Sequence, residues 1–186
     1  MLDNQVSNII KKRRSIYPKQ FTGKKIPKKF VIELLKNANT APTHKMTQPW
    51  LFKVFSNKSK VQLAKELIKI QKITTPEIKN KLYTKFELTS HIICICMRRS
   101  EGAKIPEWEE IAATAMAIQN IWISCVNSQK IGGYWSTPKA HEKLSKFLKL
   151  KDNERCLGLF YLGIYDSTKN RQKIRKNIQD ETCWYN

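Results

Sequence analysis

Leu2, Val6, Ile9 and Ile10 recur at the i, i+4, i+7, i+8 spacing of one helical face, and the stretch ends in Lys11-Lys12-Arg13-Arg14 before Ser15. An amphipathic first helix is predicted. A second helix is expected from Pro27, a residue favoured in a first turn, with Phe30, Leu34 and Ala38 beside Val31 and Leu35. Trp50-Leu51-Phe52-Lys53-Val54-Phe55 is rich in aromatic and branched residues and reads as a strand. A helical hairpin follows from about Ser59 to Phe86, broken at Thr74-Thr75-Pro76, and His91 to Met97 reads as a second, buried strand. Ile111 to Gln129 holds no charge and is expected to form a central helix buried on most of its circumference. Gly132-Gly133-Tyr134-Trp135 suggests a third strand, Ala140, Leu144 and Leu148 a further helix, and Arg155 to Ile164 a last buried strand.

Helices interleaved with four short strands, without repeat or linker, predict a single α+β domain over residues 1–186. A chain of this length hides roughly 70% of its extended surface on folding, enough for one core. The uncharged stretch approaches bilayer length, but Thr114, Gln119, Asn120, Ser124, Asn127, Ser128 and Gln129 are too polar for lipid. No basic region leads into an apolar run at the N-terminus, so a cytoplasmic protein without a membrane partner is expected.

Charge changes the picture less than its size suggests. The formal net charge is +20, but 28 of the 35 basic residues are lysines scattered along the chain, which looks like a composition bias. A nucleic-acid reader would use Arg and gather it on one face with aromatics between. Cys94, Cys96, Cys125, Cys156 and Cys183 are an odd number without a C-x-x-C pair, so reduced thiols are expected rather than a disulfide framework or zinc ribbon. Cys94 and Cys96, two apart in a strand, would share one face. His44, His91 and His141 lack metal-ligand spacing, and no metal is expected.

Three constellations could carry chemistry. Arg13-Arg14-Ser15 offers two guanidinium forks beside a hydroxyl, suited to a phosphate or nucleotide linker; the alternative is a pair of solvated arginines at a helix C-terminus. Ala41-Pro42-Thr43-His44-Lys45-Met46-Thr47-Gln48-Pro49-Trp50 is a loop bracketed by prolines that would hold His44 at a defined place, though no neighbouring carboxylate is there to orient it. Gly132-Gly133-Tyr134-Trp135-Ser136-Thr137-Pro138 would let backbone amides approach a flat or anionic ligand, or would be a helix cap followed by core aromatics. Neither a Rossmann fingerprint nor a P-loop is present.

In this order and at these spacings, the three segments resemble the nitroreductase family of FMN-dependent NAD(P)H oxidoreductases, together with Leu159-Phe160-Tyr161-Leu162-Gly163 near the C-terminus. The likeness is greatest to a short single-domain bacterial branch, with which the chain shares Ala-Pro-x-His-Lys before Gln-Pro-Trp and the segment Lys104-Ile105-Pro106-Glu107-Trp108-Glu109. The resemblance implies a mainly antiparallel sheet flanked by helices. It also implies a homodimer with FMN at the subunit interface and a C-terminal tail, with Trp184 and Tyr185, crossing onto the partner.

By position, the resemblance has Arg13, Arg14 and Ser15 holding phosphate and ribityl, Thr40 and His44 reaching the same flavin from the other subunit, and Tyr134, Trp135 and Ser136 lying against the cofactor. Met46 stands where many members carry Asn, and Ser136 where the short branch carries Arg, so Lys169, Arg171, Lys173 or Arg175 becomes the expected extra phosphate contact. The implied reaction passes hydride from NADH or NADPH through flavin N5 to a nitroaromatic, quinone or similar flat acceptor. No side chain is then obligatory as acid or base. A flavoprotein with another redox, storage or sensing role explains the same motifs, whereas a nucleic-acid-binding protein explains the charge alone.

Overall fold

Strand side chains point alternately to opposite faces, and here both faces are covered, which is why the strands read as almost unbroken apolar runs. The computed structural model describes residues 4–102, 104–126, 128, 130–166 and 174–185. Among them β1 (Trp50–Ser56), β2 (His91–Arg98), β3 (Ile131–Ser136) and β4 (Glu154–Ile164) form one sheet in the order β1-β2-β4-β3, with every neighbouring pair antiparallel. Ile92, Cys94 and Cys96 of β2 join Leu159 and Tyr161 of β4 in one core; Ile93 and Ile95 join Phe160 and Leu162 in the other. The β2/β4 register slips between Ile95 and Cys96, opposite Gly158, whose φ of +142° suits glycine.

The first core is closed by α3 (Lys58–Ile70), through Leu63, Ala64 and Leu67, and by α4 (Pro76–Leu88), through Phe86. The second is closed by α2 (Lys28–Ala38), through Val31, Leu34 and Ala38, and by α5 (Glu107–Ser124), through Ala117, Ile118 and Ile121. Each such Leu or Ile contributes about 1.5–3 kcal/mol by leaving water. Pro27 precedes α2 and Pro76 opens α4, where the missing N–H costs nothing. The α+β arrangement, an antiparallel sheet with helices on both faces, is therefore the expected one.

Two expectations change. The segment after β3 is not a helix but a short 3-10 turn, His141–Leu144, entered through left-handed Ala140 and left near left-handed Lys149. Leu144 and Leu148 still bury themselves in the first core, so the apolar spacing was correct while the backbone meets it through turns. On α5 the fully buried stripe is narrow, Glu110, Ala113, Thr114, Ala117, Ile118 and Ile121, the i, i+3, i+4 set of one face. Ile111, Ala112, Ala115 and Ile123 are only half-buried and Met116 is exposed, so the lack of charge extends beyond what this chain covers.

The first helix, α1 (Asn4–Lys12), has its amphipathic spacing but buries no residue; Val6 and Ile10 stand about half exposed, at 54% and 53%, while Leu2 lies outside the described residues. Cys94, Cys96, Cys125 and Cys156 are buried free thiols and Cys183 is exposed; burial pushes Cys94 up and Cys125 up to about 12. Among the described residues no helix is long and apolar enough to cross a membrane.

Candidate functional site

The end of α1 is built against α5. Ser15 bridges Gly133 of β3, and Ile16 donates its amide to the Gly133 carbonyl at 3.0 Å. Two of the three sequence constellations are thereby neighbours. The Trp122 indole donates to the Arg14 carbonyl at 3.0 Å, and the Arg13 guanidinium lies 4.6 Å from the centre of the Trp122 ring. A guanidinium over an indole face gains from the ring quadrupole and is held in a fixed pose.

The two arginines do different work. Arg14 turns back onto its own helix, Nη1 donating to the carbonyls of Lys11 (2.7 Å) and Arg13 (3.0 Å), which is the helix-terminus role considered from sequence. Arg13 Nη1 is buried and meets no hydrogen-bond partner. Burial, then the nearby charges of Arg175 and Arg14, lowers the Arg13 pKa. Arg13 thus carries a buried, unanswered donor within the field of two further arginines, an arrangement that an anion with several acceptor oxygens would complete. Of the four cations expected to supplement Ser136, Arg175 is the one whose charge is felt at Arg13; Lys169, Arg171 and Lys173 lie outside the described residues.

The loop carrying Thr40 and His44 sits elsewhere on α5. His44 Nδ1 is hydrogen-bonded to the carboxylate of Glu109 in the first turn of α5, so the imidazole does have an orienting acid, 65 residues away in sequence. Lys45, Met46 and Gln48 all take positive φ, at 49°, 53° and 42°, conformations that non-glycine residues adopt at a cost and that cluster at functional loops. The Thr43 hydroxyl fixes this turn by contacting the Thr47 hydroxyl at 3.0 Å and accepting the Gln48 amide at 3.1 Å. Thr40 Oγ1 donates to Asn37 O at 2.8 Å and receives Asn120 Nδ2 at 3.4 Å.

Within one chain these groups do not meet the arginines. Glu109 and Trp122 are thirteen residues apart on α5, roughly 20 Å at 1.5 Å per residue. Asn120 and Trp122 are two residues apart, about 200° around the helix, so Thr40 and Arg13 contact different sides of it. Tyr134 and Trp135 also part company. Tyr134 packs on the first core, 4.6 Å from the Tyr17 ring, whereas Trp135 packs on the second. β3 is an edge strand bridged at Gly133 by Ser15, and the Trp135 backbone two residues on faces that same edge.

The paired glycines have a packing reason. A Cβ on Gly132 would come 2.4 Å from Ile16 Cγ1, and one on Gly133 would come 2.1 Å from the tip of the Phe160 ring. The space left by both is filled by protein. Trp122, Glu109 and Asn120 were not singled out from sequence. Asn120 and Trp122 showed only as polar or aromatic breaks in an uncharged stretch, and Glu109 only as one acid of the lead-in to that helix.

The Nitroreductase family model matches residues 10–164. This chain belongs to the nitroreductase family. It is 26% identical over 183 residues to YfhC of Bacillus subtilis (strain 168), named as a candidate NAD(P)H nitroreductase, covering 93% of this chain and 92% of that one. A nitroreductase-like family protein from Bacillus cereus superposes with a TM-score of 0.83 at 25% identity, over 100% of this chain and 98% of the other. The FMN-dependent nitroreductase NfnB from Mycobacterium smegmatis, solved with NADPH, superposes with a TM-score of 0.74 at 15% identity, over 97% and 98% of the two chains, a likeness of fold.

Proposed function

We propose that this chain binds FMN between two copies of itself and acts as an FMN-dependent oxidoreductase, taking hydride from NADH or NADPH and delivering it to a nitroaromatic, quinone or similar flat acceptor. The observation that carries the reading is the buried, unanswered Nη1 of Arg13, flanked by Arg14 and Arg175. A flavin phosphate supplies the missing acceptors. In this reading Arg13, Arg14 and Arg175 hold the phosphate, Ser15 the adjoining ribityl chain, and Trp135 offers a backbone donor and acceptor beside the ring from the free edge of β3, which the pairing of Tyr134 and Ser136 with β4 holds in place. Tyr134 pairs its backbone with Tyr161 of β4, so what it offers is its ring, beside that of Tyr17.

Thr40 and His44 act on the flavin of the second subunit, which accounts for their distance from the arginines of their own chain. Glu109 positions His44. The second subunit also accounts for the surfaces this chain leaves bare: Val6 and Ile10 on α1, the uncharged flank of α5, and a C-terminal segment whose Ile174, Ile178, Trp184 and Tyr185 are 74–95% exposed. FMN, when bound, accepts hydride at N5 and passes two electrons on. What the protein adds is placement: fixed cations at the phosphate, polar backbone at the strand edge, and a dry apolar wall from α5 of both copies.

The test is the visible spectrum of the purified protein, before and after anaerobic addition of NADPH or NADH, followed by turnover with a nitroaromatic or quinone. A bound flavin that bleaches and supports turnover is expected. A protein that stays colourless after incubation with FMN overturns the reading; bound flavin that never bleaches points to the non-reductase flavoprotein role.

A further inference from the structure

Alternation along a strand puts Cys94 and Cys96 of β2 on the face that meets the first core, and Cys156 of β4 joins them there. Cys96 and Cys156 stand directly opposite one another across the antiparallel pair, at the bulge where the register slips between Ile95 and Cys96. Opposed residues of such a pair have Cα atoms about 4.5–5.5 Å apart, inside the range of roughly 4.4–6.8 Å that a disulfide spans. Their side chains also point at each other, since the two thiols share a hydrogen bond. Cys94 is placed differently: its partner across the ladder is Leu159, and Cys156 lies diagonal to it, about 7–8 Å away.

The pair differs from the remaining buried thiol in chemistry as well as in distance. Donation by Cys96 holds the Cys156 thiol below its ordinary pKa in spite of burial, and the same hydrogen bond, then burial, pushes Cys96 up. Cys125 has burial alone acting on it, which raises it, and its thiol is spent on the Ile121 carbonyl at 3.2 Å. The pair also lies near an end of the sheet. β3 pairs with β4 only from Leu159 onward, so residues 154–158 are laddered to β2 alone, and Cys156 is the third residue of its strand. The other end of this apolar stripe is closed: Tyr161 is wholly buried, with the Lys85 ammonium 4.0 Å from the centre of its ring. Local opening at the Glu154 end is thus the route by which a small oxidant reaches two thiols that are buried in the closed strand pair.

We propose that Cys96 and Cys156 are an oxidative modification site, a dithiol that a peroxide converts to a disulfide across β2 and β4. Cys156, as thiolate, attacks one oxygen of hydrogen peroxide; the O–O bond breaks, hydroxide leaves, and a sulfenic acid forms. Cys96 then attacks that sulfur, the S–O bond breaks as the S–S bond forms, and the Cys96 proton leaves with the hydroxyl as water. The proton given up by Cys156 neutralises the first hydroxide. Two thiols lose two electrons and two protons, and one peroxide becomes two waters. The strands are then joined at the bulge that carries Gly158, whose backbone packs so closely on Trp135 that a Cβ there would come 2.7 Å from the indole Nε1.

The experiment treats the full chain as purified with hydrogen peroxide at neutral pH, quenches it with iodoacetamide in urea, and maps disulfides by mass spectrometry of unreduced peptides. In buffer the Cys96–Cys156 bridge should exceed every other intrachain pairing at least about tenfold, because only these two thiols are held within bridging distance. The chain should lose the mass of two hydrogen atoms and regain it with a reductant. When the chain is unfolded in urea before oxidation, that preference should disappear. C94S should keep the bridge, whereas C96S and C156S, checked for native fold by circular dichroism, should lose it. Cys96 and Cys156 that both stay free in buffer would overturn the proposal, as would a native bridge that prefers Cys94, Cys125 or Cys183, or one no more favoured in buffer than in urea.

Discussion

Arg13 stacks on Trp122, and Trp122 in turn holds the carbonyl of Arg14. One indole thus fixes both the pose of the guanidinium and the backbone that carries it, leaving Arg13 Nη1 aimed away from any protein acceptor. Charge-assisted bonds to an anion contribute about 1.5–3 kcal/mol. R13A should therefore weaken FMN about 10- to 150-fold in a flavin-fluorescence titration, and W122L, which keeps the charge but frees it, by a smaller factor. An unchanged affinity for R13A would remove the phosphate reading.

His44 and Glu109 offer a test of cooperation rather than of strength. Their pair is half exposed, so losing it should cost the fold no more than about 1 kcal/mol. Its purpose in the proposed site is orientation of the imidazole toward the second subunit's flavin. E109Q and H44A should each raise the apparent FMN dissociation constant several-fold, and the double variant should be no worse than H44A alone. Fully additive losses would show that Glu109 does not act through His44.

The elements most legible in sequence were those whose period is set by a covered face. β2 and β4, buried on both sides, and α2, with a clear i, i+3, i+4 stripe, lie close to where the spacing put them. The segment from Ala140 to Leu148 misled because turns can bury the same two leucines that a helix would. In the candidate site, the arginines and the His44 loop were visible as motifs. Their partners were not, because Glu109 and Trp122 are brought in by the packing of α5, and no local pattern records a contact across 65 or 108 residues. The Gly-Gly pair was legible as a place where side chains are excluded, but whether protein or ligand fills that place is decided by Ile16 and Phe160.

Gly133 should accordingly resist substitution for reasons of packing. A methyl group there meets an aromatic ring fixed in the second core, where Phe160 is also edge-on to Trp122 at 5.5 Å. G133A should lose about 1–3 kcal/mol in urea denaturation. Trimming the obstacle in G133A/F160L should recover part of that loss relative to the sum of the single variants.

Glu110 is wholly buried at the start of α5, paired with Arg99 and accepting the Ser100 amide at 2.9 Å. Arg99 also donates to the Ile105 carbonyl at 3.1 Å and so pins the approach to α5. Removing one partner strands a carboxylate out of water, which costs about 3–5 kcal/mol. R99A should fall by that amount in urea, and R99M/E110M should regain most of it.

Lys85 links stability to pH in the opposite sense to an ordinary surface lysine. Its pKa is near 8 in the folded chain and about 10.4 when unfolded, so between these values the unfolded state binds the extra proton. Its contribution to stability is therefore unfavourable and constant below pH 8, and that penalty fades as pH rises from 8 toward 10. K85M removes the charge from its apolar site. At pH 7 the variant should be more stable than the parent by up to about 3 kcal/mol in urea. The difference between the two proteins should shrink steadily from pH 8 to pH 10, while the repulsion among the remaining lysines, common to both, cancels. A difference that stays flat across that range, or a K85M less stable at pH 7, would show that the ammonium is better solvated or better paired than its place over Tyr161 indicates.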